Sequence, residues 1–134
     1  MKIKEIKWQE TIPVRHKVLW PNEDASFCKV EGDKEALHFA VVVEAEICCV
    51  ASLYLNDDTA RLRKFATLQD SQGKGIGSFM LNYLINELKK LNVKYFWFDA
   101  RESAVAFYRR FGFESEGTRF YKKEVPYFKM SMPL

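Results

Sequence analysis

A short glycine-rich segment contains the residue types best suited to chemistry in this sequence. Gly73, Gly75 and Gly77 alternate within Gln72–Ser78, between a predicted strand and a predicted helix. Glycine permits positive φ and lets a ligand approach the backbone without a Cβ in the way. The first N–H groups of a helix have no intrahelical partner, and the helix dipole adds partial positive charge there. The segment therefore predicts an anion site, and phosphate is the anion that suits it best.

Two common phosphate-binding motifs do not fit this segment. A P-loop requires Gly-x-x-x-x-Gly-Lys followed by Ser or Thr, whereas Lys74 is followed by Gly75. The dinucleotide fingerprint requires glycine where Ser78 stands, and a parallel strand–helix–strand start. Glycines also end strands and cap helices, so a loop that binds no phosphate is an open alternative.

Two motifs together resemble the GNAT superfamily of N-acetyltransferases. The family pattern Arg/Gln-x-x-Gly-x-Gly/Ala is matched by Gln72, Gly75 and Gly77. A second family pattern, Ala-x-x-Φ-Tyr-x-x-x-Gly-Phe with Φ apolar, is matched downstream by Ala104–Phe113. The tail also loosely resembles the ElaA-like branch of the superfamily, although that branch usually has His where Tyr127 stands.

The resemblance implies acetyl-CoA as cosubstrate and no metal. Backbone N–H groups of the glycine segment would bind the pyrophosphate. Backbone groups of the preceding strand would pair with the pantetheine arm and supply an oxyanion donor. Arg101 stands where the family often has Asn, and arginine can donate a hydrogen bond but cannot accept one. It could reach a phosphate or an acidic substrate, or remain a solvated surface residue. The implied cofactor-binding residues are Phe65, Ala66, Thr67, Gln72, Gly73, Lys74, Gly75, Ile76, Gly77, Ser78 and Arg101.

The resemblance also implies a general acid, Tyr108, which would protonate the leaving thiolate. A phenol with a reference pKa of about 10 stays protonated at neutral pH and can donate. The general base is less obvious. Asp99, at the end of an apolar strand, is the preferred candidate, but it could instead cap the following helix. Glu44 and Glu46 at a predicted turn are weaker candidates, and a water chain without a dedicated base is a further alternative.

Three residues are candidates for contact with the acceptor substrate. His16 and Arg15 lie on the predicted first helix, which the family resemblance places over the acceptor site, and His38 opens a strand. Both histidines could equally be structural.

The elements that must position these residues are of two kinds, strands and helices, which differ in the period of their apolar residues. Strand-like runs precede the glycine segment, and from Ile76 apolar residues recur at the 3.6-residue period of an amphipathic helix. We expect an α+β GNAT fold, with a mixed, mostly antiparallel sheet of six or seven strands and about four helices. The predicted strands are 2–8, 37–43, 47–55, 60–68, 93–98 and two within 113–132; the predicted helices are 11–20, 76–91 and 103–111, with one more helical turn within 21–36.

Composition indicates one folded domain over residues 1–134. Hydrophobic residues make up 48% of the chain, and its net charge is only +3, without a basic stripe, so nucleic acid is not an expected partner. The chain has three cysteines, an odd number, and their spacing is not that of metal ligands. We therefore expect reduced thiols. Without a signal-like or membrane-spanning apolar run, we expect a cytoplasmic protein, a monomer or a homodimer.

The sequence therefore predicts an N-acetyltransferase that moves an acetyl or short acyl group from acetyl-CoA to a primary amine. Direct attack in a ternary complex is the expected mechanism, and the acceptor is a small molecule or a peptide. A non-catalytic acyl-CoA-binding or sensing domain, and a structural module whose loop binds nothing, are the alternatives.

Overall fold

The strands of this chain form one mixed sheet with the order β1-β2-β3-β4-β5-β7-β6. The computed structural model describes residues 1–134. None of its helices is both long enough and apolar enough to cross a bilayer. The helices are α1 (Ile12–Leu19), α2 (Ile76–Lys90) and α3 (Val105–Arg109); the strands are β1 (Lys2–Ile6), β2 (Leu37–Val43), β3 (Glu46–Asn56), β4 (Thr59–Thr67), β5 (Tyr95–Arg101), β6 (Glu114–Lys122) and β7 (Val125–Pro133).

Tight turns set the register of the antiparallel strands. Glu44 and Ala45 join β2 to β3 with φ of 52° and 66°, the double positive φ that a two-residue hairpin turn requires. Asp57, with φ of 53°, lies in the turn between β3 and β4. The predicted succession of three antiparallel strands is therefore confirmed, with boundaries shifted by at most one residue.

The β4–β5 pair is the one parallel pair in the sheet, and α2 makes the crossover between its strands. The two strands pair only where Thr59–Arg61 lies beside Tyr95–Trp97. Beyond Arg61 they diverge, so the remainder of β4 has a strand partner on its β3 side alone. This divergence opens a gap in the middle of the sheet.

Helix α2 carries the main hydrophobic contact with the sheet. Met80, Leu81, Leu84 and Leu88 have no exposed surface, in agreement with the amphipathic pattern. The helix ends in a Schellman motif. The Val93 N–H donates to the Leu88 carbonyl at 3.0 Å, and Asn92, the residue before Val93, has φ of 60°.

Several predicted boundaries are corrected by the structure. There are three α-helices, and the further helical turn predicted within residues 21–36 is present as the 3₁₀ turn Ala25–Cys28. The predicted helix 103–111 is a 3₁₀ turn, Glu102–Ala104, followed by the short α3. The boundary between α2 and β5 is also displaced, since β5 begins two residues later than expected and extends to Arg101.

Candidate active site

The glycine segment links β4 to α2 through a backbone that requires glycine at two positions. Gly73 and Gly75 have φ of 75° and 80°, and Gly75 is the N-cap residue of α2. A Cβ at either position would meet no atom within 4 Å, so the space beside the backbone is open. Gly77 has another role, because a Cβ there would lie 3.6 Å from the Phe65 ring, where helix and strand approach closely.

Six consecutive backbone N–H groups at this turn lack an acceptor within the protein. Residues 73–78 donate no hydrogen bond, and the next amide, Phe79, makes the first helical bond to the Gly75 carbonyl at 3.0 Å. The segment is fixed at its start, because the Gln72 side-chain amide donates to the Thr67 carbonyl at 3.0 Å. The predicted anion site thus has a row of free donors at a helix N-terminus.

The gap between the diverging strands contains a cavity of about 360 Å³. Residues of β4 and β5, the end of α1, α3 and the β6–β7 hairpin all contribute to its wall. The lining residues are Leu19, Trp20, Arg61, Leu62, Arg63, Lys64, Phe65, Phe98, Asp99, Ala100, Arg101, Ala104, Tyr108, Lys122 and Tyr127. The cavity therefore brings together four predicted site residues: Phe65 from β4, and Asp99, Arg101 and Tyr108 from the β5–α3 region.

Tyr108 reaches this cavity from α3 and is held by aromatic packing. Its ring centroid lies 4.4 Å from that of Phe98 and 5.2 Å from that of Phe107. Burial, with a smaller contribution from Cys49, raises the pKa of Tyr108 to about 12. The hydroxyl is therefore protonated across the physiological range and can serve as a hydrogen-bond donor in the cavity.

Asp99 lies within β5 rather than at its end, and its carboxylate is shared by two cations. Its Oδ2 is 3.2 Å from an Arg61 guanidinium nitrogen and 3.3 Å from the Lys122 ammonium. The alternative role of Asp99 as a helix cap is not what the structure shows, since Arg101 occupies the N-cap position of the following 3₁₀ turn. Arg101 itself is exposed.

The three predicted pantetheine-binding residues occupy the end of β4 beside the gap. Phe65 lines the cavity, Ala66 is buried, and Thr67 supplies the carbonyl that receives the Gln72 amide. The alternative bases Glu44 and Glu46 are exposed at the β2–β3 hairpin and do not line the cavity.

Arg15 and His38 belong to a buried polar network, and their placement corrects the prediction that they contact the acceptor. Arg15 has no exposed surface and forms a bidentate ion pair with Asp33, in which the two guanidinium nitrogens lie 2.8 and 3.1 Å from the two carboxylate oxygens. His38 contacts the Ser52 hydroxyl at 2.7 Å and the Asp33 carbonyl at 2.8 Å. Burial raises the pKa of the Asp33 carboxyl, but hydrogen bonds from Arg15, Tyr54 and the Val30 N–H outweigh it and hold that pKa at about 2.

The remaining acceptor candidate, His16, lies outside the cavity. Its Nε2 is 2.6 Å from the Glu23 carbonyl, which ties α1 to the following loop. No cluster of three or more His, Cys, Asp and Glu side chains is arranged to hold a metal ion. Cys28, Cys48 and Cys49 are all buried free thiols.

Sequence reasoning missed the cations of the cavity other than Arg101. Arg61, Arg63, Lys64 and Lys122 all line it. In sequence they resemble the charged face of an ordinary strand. The divergence of β4 from β5, which brings Arg61, Arg63 and Lys64 to one cavity, is a long-range feature that has no signal in the sequence.

Several solved structures share this fold. The ribosomal protein alanine N-acetyltransferase of Escherichia coli superposes with a TM-score of 0.82 at 20% identity, covering 98% of this chain and 92% of that one. Escherichia coli ElaA gives 0.82 at 14% identity, with 97% of each chain covered. A GNAT family acetyltransferase from Elizabethkingia anophelis with acetyl-CoA bound gives 0.76 at 15% identity, covering 99% and 97%. At these identities the likeness shows the fold.

A family profile decides the assignment. The acetyltransferase (GNAT) domain profile matches residues 17–134. This chain belongs to the GNAT acetyltransferase family. Among GNAT relatives, the uncharacterized N-acetyltransferase YitI of Bacillus subtilis (strain 168) is 25% identical over 129 residues, which cover 90% of this chain and 87% of the relative. The ribosomal protein bS18-alanine N-acetyltransferase of Escherichia coli (strain K12) is 29% identical over 103 residues, covering 75% and 69%.

Proposed function

We propose that this protein is an acetyl-CoA-dependent N-acetyltransferase that acetylates a primary amine by direct attack in a ternary complex. The observation that carries the proposal is the gap between β4 and β5, because Tyr108 and the unpaired edge of β4 both line it. That strand runs directly into the row of six free N–H groups. Three unpaired thiols suit a reducing compartment, and we place the protein in the cytoplasm.

The coenzyme would extend from the glycine segment into the gap. The pyrophosphate accepts hydrogen bonds from the N–H groups of residues 73–78, where the helix dipole also favours negative charge. The pantetheine amides pair with the edge of β4 at Phe65, Ala66 and Thr67, in place of the missing strand. A backbone N–H of the same edge donates to the oxyanion that forms when the amine attacks the thioester carbonyl.

Tyr108 acts as the acid for the departing thiolate. A thiol has a reference pKa of about 8.5, whereas the pKa of Tyr108 is about 12. Complete proton transfer to sulfur is therefore unfavourable unless the tyrosine is reprotonated at once by the new ammonium group of the tetrahedral intermediate. Tyr108 thus donates a hydrogen bond as the carbon–sulfur bond breaks, and the proton lost by the attacking nitrogen finally resides on the CoA thiol.

Asp99 is our candidate for the group that receives the amine proton before attack. With an alkylamine reference pKa of about 10.4, roughly one molecule in 2,500 is neutral at pH 7. The carboxylate of Asp99 lines the same cavity as Tyr108. Its two ion pairs compete with this role, so a route through water to solvent is the rival mechanism.

An amine panel that follows the release of free CoA tests the proposal. Amine-dependent CoA release, with the acetylated product found by mass spectrometry, supports an N-acetyltransferase. The engagement of Asp99 by two cations favours a second candidate, a domain that binds acyl-CoA without catalysis. That candidate predicts that acetyl-CoA raises the melting temperature while no amine releases CoA. No melting shift at all would refute both.

A further inference from the structure

The cavity between β4 and β5 has a large excess of positive charge. Five cations and one carboxylate line it, whereas the whole chain has a net charge of only +3. Asp99 is the carboxylate, and it pairs with Arg61 and Lys122. The other three cations form no ion pair within the protein; they are Arg63, Lys64 and Arg101.

Lys64 owes its position to a β-bulge. Ser52 pairs with Arg63 and Val50 pairs with Ala66, so β4 contains one more residue than β3 in this interval. Lys64 itself has φ of 56°, a left-handed conformation that redirects its side chain. Its ammonium nitrogen lies 4.7 Å from the centroid of the Trp20 ring, and both residues line the cavity.

The surroundings of Lys64 disfavour its charge in the absence of a bound anion. Burial, and then the neighbouring cations Arg63, Lys122, Arg15 and Arg61, lower the pKa of Lys64 to about 8. A partly buried ammonium among like charges is costly unless a counterion accompanies it. The protein does not supply that counterion, because the one carboxylate that lines the cavity is already shared by two other cations.

The phosphates of the coenzyme do not fill this role. In the proposed function the pyrophosphate binds the N–H groups of residues 73–78, none of which lines the cavity. The 3′-phosphate of CoA lies on the ribose, beyond the pyrophosphate and still farther from the thioester end. The anion that pairs with the cavity cations must therefore arrive with the other substrate.

We infer that the acceptor is a small primary amine that also carries an anionic group, a carboxylate or a phosphate, which pairs with Lys64. This inference rests on the proposed N-acetyltransferase function. The cavity has a volume of about 360 Å³ and must also hold the thioester end of the coenzyme, so the space that remains suits only a small acceptor. Polyamines and lysine-rich peptides are repelled by the same charges.

The cations also address the proton problem of the reaction. A nearby positive charge disfavours the charged form of an amine and lowers its pKa. An acceptor anchored by its anionic end would thus hold its nitrogen in a field that increases the neutral, reactive fraction. Anion recognition and amine activation would then have one physical origin.

A series of amines of equal length isolates the effect of charge. We suggest 5-aminovalerate, 5-aminopentanol and 1,5-diaminopentane, with 4-aminobutyl phosphate as the phosphate counterpart, all assayed at one pH with rates expressed per neutral amine. We expect kcat/KM to be at least about tenfold higher for an anionic amine than for 5-aminopentanol, as for a hydrogen bond to a charged group. The relative rates of the two anionic amines distinguish a carboxylate from a phosphate site.

A matched pair of variants tests whether Lys64 is responsible for the preference for anionic amines. Lys64→Gln is expected to reduce the ratio of anionic to neutral kcat/KM about tenfold, while acetyl-CoA still raises the melting temperature. Lys89→Gln, an equal charge change at an exposed position on α2, should keep the wild-type ratio. A neutral or cationic amine that matches the anionic ones overturns the inference but leaves the proposed function intact. Acetylation of other amines in the wider panel without acetylation of any anionic amine also overturns the inference alone. The proposed function is overturned only if acetyl-CoA binds and no amine of that panel releases CoA.

Discussion

Replacing Tyr108 with Phe removes one hydroxyl from the cavity and little else. The ring is held by contacts with Phe98, Phe107 and Phe113, all of which a phenylalanine preserves. The hydroxyl makes no hydrogen bond within the protein, and it is not among the buried polar atoms that lack partners. We therefore expect the free energy of unfolding to change by less than about 1 kcal/mol, a shift of a few degrees in melting temperature.

The expected loss of activity is much larger than the change in stability. General acid catalysis contributes about 10²–10⁴-fold, which corresponds to roughly 2.7–5.4 kcal/mol of the activation barrier. The loss should appear in kcat, while KM for acetyl-CoA stays near its wild-type value. Because the pKa of Tyr108 is about 12, wild-type kcat should not decline near pH 10, where an ordinary phenol would ionise.

The assay follows the free CoA thiol with a thiol-reactive dye. Background from the protein is low, since its three cysteines are no more than 4% exposed. Tyr121→Phe is the matched control, because Tyr121 is 63% exposed on β6 and does not line the cavity. If Tyr108→Phe retains kcat within a factor of about three of Tyr121→Phe, far short of the range expected for an acid, Tyr108 is not the acid and the proposed chemistry is wrong.

Three further substitutions test separate parts of the structure. Gly75→Glu should abolish the rise in melting temperature that acetyl-CoA produces, because the carboxylate repels the pyrophosphate; Gly117→Glu, at an equally open position with φ of 73°, should keep it. Asp99→Asn should lower kcat/KM at every pH, most strongly near neutrality, if Asp99 is the base. An unchanged pH–rate profile would mean that the acceptor amine loses its proton to water. Asp33→Asn should destabilise the protein by about 3–5 kcal/mol in urea unfolding, since buried Arg15 loses its partner. This deficit should shrink as pH falls from about 4 towards 2, where the wild-type carboxylate is also protonated and its contribution is lost; a deficit independent of pH in that range would contradict the ion-pair explanation.

The local features of the fold were predictable because their signals are local. The hairpins and α2 each combine a hydrophobic period with a turn or end signal within a few residues. The start of β5 was misjudged for a physical reason: Val93 is apolar and 4% exposed because it closes the Schellman motif of α2, not because it belongs to a strand.

The site was only partly predictable because its charges are arranged by long-range contacts. The pairing of Arg15 with Asp33, and of Asp99 with Arg61, depends on how distant strands and loops meet. A single sequence shows that such residues are ionisable but not which partner each one finds. Motif matching gave the positions of the glycine segment and Tyr108, and chain topology decided which other side chains surround them.

The short parallel contact between β4 and β5 has a structural consequence. Three residue pairs at one end of these strands are the only strand pairing between β1–β4 and β5–β7, and side-chain packing in the core supplies the rest of the connection. In the proposed complex, a coenzyme whose amides lie along the open edge of β4 would add hydrogen bonds where strand pairing is missing. The coenzyme would then complete the sheet as well as take part in the reaction.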